Sequence, residues 1–207
     1  ALGFNIPLLA YYLSQVIFNQ SDRIMISHIT STSDAAMYGV AYNLAMILTF
    51  VLNAINGSYV PWLYGKIKKN NAQDNKSISL ILIMLMGLII LCVIWYAPEI
   101  ILIMAGKQYS VAIYVVAPVS MCLLLLFYSQ LFINIEFYYE EKKMLVYGSI
   151  GAAVLNIILN GLLIPIFGFV AAGYTTLISY IVFALSNYYT MPVSYTHLRA
   201  HETLSDL

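Results

Sequence analysis

Met144–Gly168, MLVYGSIGAAVLNIILNGLLIPIFG, has the length and apolarity of a membrane-spanning helix, yet Asn156 and Asn160 sit near its middle. At about 1.5 Å rise per residue, some 20 apolar residues cross a hydrocarbon core of roughly 30 Å. Asn156 lies well inward of the charged Glu140–Lys143 cluster, which places it near mid-bilayer. Gly148, Ala152, Asn156 and Asn160 are spaced four apart, so they form one slowly slanting ridge of small and polar side chains. Lipid cannot satisfy an amide, so the ridge must face other protein or water. Such a helix belongs inside a bundle.

The rest of the chain fits that reading. Of its 207 residues, 62% are hydrophobic and 9% charged, and the mean hydropathy is +0.85. Soluble domains are nearer 45–50% apolar and 25% charged. The expected fold class is an all-α integral membrane protein. A formal net charge of zero argues against a nucleic-acid partner. Cys92 and Cys122 both fall inside apolar runs and read as small hydrophobes rather than a disulfide or metal pair.

Six apolar segments are long enough to span: 6–26, 38–59, 78–96, 113–135, 145–166 and 169–188. An even count puts both ends on one side. Lys66, Lys68, Lys69 and Lys76 follow the second segment and Lys142 and Lys143 the fourth, against Arg23 and Lys107 on the opposite face. The positive-inside rule then places the lysine loops and both ends in the cytoplasm, with Thr30–Asp34 outside. Tyr59, Trp62, Tyr64, Tyr138, Tyr139 and Tyr147 mark the inner interface, and Trp95 and Tyr96 the outer one. Pro98–Ala105 is too short to span and is expected to be a separate short helix in the outer interface. Pro7, Pro61, Pro98 and Pro165 fall at segment ends. Pro118 lies inside the fourth segment, where it kinks the helix as a static bend or a gating hinge.

The chain begins Ala-Leu-Gly, without a start methionine or signal peptide, and is expected to be a fragment, with residues 1–191 forming one six-helix unit. Residues 192–207, PVSYTHLRAHETLSDL, are polar and resemble the translation of a sequencing-library adapter. They are expected to be non-native. His197 and His201 there are spaced i, i+4, but no third ligand accompanies them, and no metal site is expected.

No nucleophile–base pair, phosphate loop or metal-spaced cluster appears, so neither enzymatic activity nor a cofactor is expected. Function must lie in polar residues at membrane depth. In the first segment these are Gln15, Asn19, Asp22 and Arg23, with Gln15, Asn19 and Asp22 on one face. Adjacent Asp22 and Arg23 cannot easily pair on a helix, so each seeks a partner elsewhere. They form either a structural ion site at the helix end or a charged patch at the outer end of a cavity. Asn53 and Asn56 share a face of the second segment, and Gln130, Asn134 and Glu136 crowd the inner third of the fourth. Glu136 either meets Lys142 or Lys143 at the interface or is a proton site. Interhelical hydrogen bonds average about 0.6 kcal/mol, too little to require so many amides for stability alone. A wet central cavity is the expectation.

Several stretches together resemble the second half of bacterial polysaccharide-repeat (O-antigen-type) flippases. They are SDRIMISHITSTSDAAMYGVAYNLAMI (21–47), AINGSYVPWLYGKIKK (54–69), APEIILIMAGKQY (97–109), NIEFYYEEKK (134–143) and AAVLNIILNGLLIPIFGFVAAGYTTLISY (152–180). The resemblance runs from Phe4 to about Tyr189; Gly39 stands where the family usually has Ser. It implies the multidrug/oligosaccharidyl-lipid/polysaccharide exporter superfamily, whose members have two six-helix lobes around a cavity open alternately to either side. This chain would be the C-terminal lobe, partnered by an N-terminal lobe of the same protein in the bacterial inner membrane. The implied substrate is an undecaprenyl-diphosphate-linked oligosaccharide, and the partners the resemblance implies are glycan polymerase and chain-length proteins. Most of the pyrophosphate-binding cations would lie in the other lobe, with Arg23 contributing here. A drug/cation antiporter or peptidoglycan-precursor flippase on the same fold, and a non-transporting scaffold for glycan assembly, are the alternatives. An antiporter would require a deep carboxylate, whereas Asp22 and Glu136 read as lying near segment ends.

Overall fold

The computed structural model describes the backbone of residues 2–69, 75–139 and 143–205; the side chains of residues 2–8, 10, 11, 18, 19, 143, 144 and 190–205 lie outside that description. Six long helices run α1 Leu2–Ile29, α2 Thr32–Lys68, α3 Asn75–Met104, α4 Ile113–Tyr138, α5 Lys143–Phe167 and α6 Val170–Ser205, and a short 3-10 turn, Lys107–Ala112, leads into α4. No strand occurs among the described residues. Among those residues, α2 to α6 are each long and apolar enough to cross a bilayer. The fold is an all-α integral membrane bundle.

Local chemistry sets the helix ends. Ser31 caps α2 by accepting a hydrogen bond from the Asp34 amide at 3.0 Å. Gly168 closes α5 at φ +70°, and its N–H reaches Ile164 O at 2.9 Å, so α6 begins within two residues. The 3-10 turn is entered through Gly106 at φ +85°, backbone that a β-carbon would strain.

Two proline expectations need correction. Pro98 does not begin a separate interfacial helix: α3 continues through it to Met104. Pro61 likewise lies inside α2, which runs on to Lys68. A membrane helix tolerates the lost hydrogen bond where neighbouring helices hold it in place. Ala97 and Ile101, either side of Pro98, are buried in the core and anchor that turn. Pro118 lies inside α4 as expected and is buried, and a β-carbon on Gly173 of α6 would stand 3.1 Å from its Cγ. α4 and α6 therefore approach closely at this point, and glycine makes the approach possible.

Helices α1, α2, α4, α6 and α5 pack in that order as a closed ring, α5 returning to α1. Helix α3 lies outside the ring against α4 and α2. Its hydropathy is the highest of the five candidate spans and its burial the lowest, with Leu80, Ile81, Met84, Leu88 and Leu91 exposed. An all-round apolar helix on the rim is a lipid-facing one. The ring encloses Asp22, Asn156, Asn160, Thr175 and Thr176.

Candidate functional site

The ridge on α5 faces protein, as its spacing requires. Ala152 is buried, Asn156 and Asn160 are fully buried, and Gly148 sits so close to α6 that a β-carbon would come within 2.6 Å of Ser186 Oγ. Along the α1–α5 seam, Ser14 Oγ donates to Ser149 Oγ at 3.0 Å, Ser21 Oγ to Asn156 Oδ1 at 3.1 Å, and Asn160 Nδ2 to Asp22 Oδ1 at 2.6 Å. Both sequences ascend together, so α1 and α5 are parallel neighbours stitched by polar contacts.

Asp22 is the hub of this network, and it corrects the expectation of a helix-end charge. Helix α1 continues to Ile29, and Asp22 is fully buried inside the ring. Its Oδ2 accepts from Tyr38 Oη at 2.5 Å and from Thr176 Oγ1 at 2.7 Å, while Oδ1 accepts from Asn160. Asn160 Nδ2 also reaches Asn156 Oδ1 at 3.2 Å, Asn156 Nδ2 donates to Thr176 Oγ1 at 3.0 Å, and Thr175 Oγ1 donates to Asn160 Oδ1. Four helices thus converge on one carboxylate, and none of its hydrogen-bond partners is cationic. A buried ion carries a desolvation penalty of several kcal/mol. Hydrogen bonds to a charged group return about 1.5–3 kcal/mol each, so three of them roughly offset that penalty. Beside Asp22 lies a cavity of about 20 Å³ bounded by Tyr42, Met46, Cys122, Thr176 and Tyr180. That is room for about one water.

Arg23, the next residue, takes the opposite course. It is half-buried on the α2 side, where its Nη2 donates to exposed Asn43 Oδ1 at 3.0 Å and its guanidinium lies 4.9 Å from the Tyr42 ring centre. Gly39 backs the guanidinium, and a β-carbon there would meet Arg23 Cζ at 3.8 Å, ordinary contact. A serine at position 39 would therefore fit. Arg23 Nε is buried without a partner among the described residues. Asp22 and Arg23 do not pair with each other, as their adjacency required.

A second amide group lies apart from the first. Asn56 Nδ2 of α2 donates to Gln130 Oε1 of α4, and Asn134 Nδ2 donates to Asn56 Oδ1 at 3.3 Å. All three side chains are half-buried. Asn53 is exposed and joins neither group, Gln15 is half-buried, and the Asn19 side chain lies outside the described residues. Glu136, two residues from the end of α4, is buried, 3% exposed; the Lys142 and Lys143 side chains expected to meet it lie outside the description, as do those of His197 and His201. Among the described residues no cluster of metal-ligating side chains occurs.

The amides expected around one wet central cavity fall into two separate groups. The Asp22 group is gathered centrally but closed, and the Asn56 group opens elsewhere. Tyr38, Thr175, Thr176 and Ser21 are the members that sequence reasoning missed as site residues. Threonine and serine are routine in membrane helices, so only the Thr175–Thr176 pair in AAGYTTLISY hinted at them.

A closed helical ring with a lipid-facing outer helix and a buried polar hub defines a multi-pass membrane protein. Residues 1–65, which carry Asp22, Arg23, Tyr38 and Asn56, match the family described as "Polysaccharide biosynthesis protein". Over 165 residues the chain is 26% identical to "Lsg locus putative protein 1" of Haemophilus influenzae, an alignment covering 75% of this chain and 39% of that protein. The chain thus spans about two-fifths of the length of the relative it matches. No solved structure matches.

Proposed function

We propose that this chain forms one lobe of a flippase that moves undecaprenyl-diphosphate-linked oligosaccharide repeat units from the inner to the outer leaflet. The observation that carries the reading is the divergence of two adjacent residues. Asp22 is sealed in the ring, and Arg23 is presented beside Asn43 and Tyr42 on the α1–α2 face. A substrate bearing a diphosphate needs a cation it can reach, and Arg23 supplies one at membrane depth. A transporter that alternates between two states also needs an element whose balance can be tipped. A carboxylate held near break-even by neutral donors is such an element, because a proton or a small cation arriving there changes which packing is favoured. A passive scaffold requires neither feature.

The deep carboxylate favours one second reading. A drug/cation antiporter on the same fold would use Asp22 in the same way, and the polysaccharide family match weighs against it. The test is expression of the complete reading frame containing this chain in a bacterial strain lacking its own polysaccharide-repeat flippase. Restored surface polysaccharide with unchanged drug susceptibility is the expected result. A membrane-inserted protein that restores nothing would count against the flippase, and raised drug resistance would favour the antiporter.

A further inference from the structure

The amide group on α2 and α4 is more than a clasp between helices. Asn134 donates to Asn56 and Asn56 donates to Gln130, so the chain of amides runs in one direction. Its two ends remain: the Gln130 side-chain N–H group and the Asn134 carbonyl oxygen. No described residue bonds either end. Neither appears among the fully buried polar atoms without partners, so both open to the surroundings. Asn134 lies one turn and Gln130 two turns from the end of α4 at Tyr138, within the apolar span. Hydrocarbon offers nothing to an open amide. Whatever covers this strip is polar.

The strip has a chemical signature. One donor and one acceptor are held about 6 Å apart along the axis, pre-aligned because the Asn56 amide holds both side chains. One turn further on, at position i+4 from Asn134, the Tyr138 ring stands T-shaped to Tyr64 of α2 and to Tyr139, with ring centres 5.1 Å apart in each pair. Amides that present a donor and an acceptor satisfy neighbouring hydroxyls, and aromatic faces cover the apolar side of a sugar ring. Neither element is charged, so the combination holds a neutral polar ligand without trapping it.

We propose that the Gln130–Asn134 strip, with Tyr138 and Tyr64 beneath it, is a carbohydrate-binding subsite that holds a sugar of the transported glycan. The proposal rests on the flippase reading and assigns the sugar to α2 and α4, while Arg23 on the α1–α2 face meets the diphosphate. The competing occupants are a polar helix from elsewhere in the same protein and a phospholipid headgroup.

The test uses the complete protein in cells whose repeat unit carries a radiolabelled sugar. A photoreactive benzoylphenylalanine is placed at Tyr138, and the products of irradiation are separated. A labelled glycan adduct is expected, reduced about tenfold when Gln130→Leu and Asn134→Leu are introduced together, the scale of one or two lost hydrogen bonds. The same adduct yield in that double variant would overturn the subsite. So would cross-linking only within the polypeptide, only to phospholipid, or to nothing. Asn56→Leu, which leaves both open ends in place but removes their alignment, should give an intermediate yield and guards against misreading a folding defect. Complementation is scored separately: a protein that restores polysaccharide export yet gives no glycan adduct keeps the flippase reading and loses this subsite.

Discussion

Asn160 and Asn134 are the same side chain in neighbouring parts of one bundle, and their surroundings could hardly differ more. Asn160 is fully buried, and both ends of its amide are engaged by Asp22, Asn156 and Thr175. Asn134 is half-buried, engages only Asn56, and leaves its carbonyl open. Four helices close on the first site, whereas two meet at the second. The lesson is that an amide in a membrane helix has no fixed role. Enclosure makes it a member of a fully bonded network, and an open seam leaves one of its polar atoms free for whatever lies outside.

Substitutions can break that contrast, and their expected costs fall in a clear order. Asn160→Leu in the complete protein removes a donor from a buried carboxylate and an acceptor from Thr175. Losing one member of a buried charged network costs about 3–5 kcal/mol, so thermal unfolding in detergent should show the protein barely folded. Gly173→Leu forces a side chain into the close approach at Pro118, where even a β-carbon stands 3.1 Å from Cγ. Overpacking of this kind costs about 1–3 kcal/mol, readable in the same unfolding experiment. Asn134→Leu makes the same chemical change as Asn160→Leu but at the open seam. It should cost only about 0.6 kcal/mol, the average for such interhelical bonds. Equal losses at positions 134 and 160 would erase the distinction between closed and open sites. Asn53→Ala, at an exposed position outside both groups, should stay within about 0.5 kcal/mol of the parent.

Much of this was legible from residue order, for identifiable reasons. Apolar length gave the helices, and four-residue spacing on Gly148, Ala152, Asn156 and Asn160 gave the face that turns inward, because helix periodicity is a local property. Asp22 reads as a helix-end charge because the apolar run ends near Ile26 and charged Arg23 stands beside it. The helix in fact extends to Ile29, and the two neighbours point apart. Tyr38 and Thr176 carry no charge, and nothing in their local sequence marks them as partners of Asp22, 16 and 154 positions away; Thr175 is equally unmarked as the partner of Asn160 on the preceding helix. Pro98 misled because a proline signal that ends a helix in water is overridden when the turn is pinned by Ala97 and Ile101. Spacing predicts a face; it does not predict what closes over it.

The most direct test is Asp22→Asn in the complete protein, expressed in the flippase-deficient strain. Asparagine keeps the size of the side chain and its carbonyl acceptor but cannot carry the charge. The account predicts a correctly inserted protein of near-parental thermal stability that exports no polysaccharide. Full export by this variant, at equal abundance in the membrane, would show that the buried carboxylate is only structural and would contradict the account.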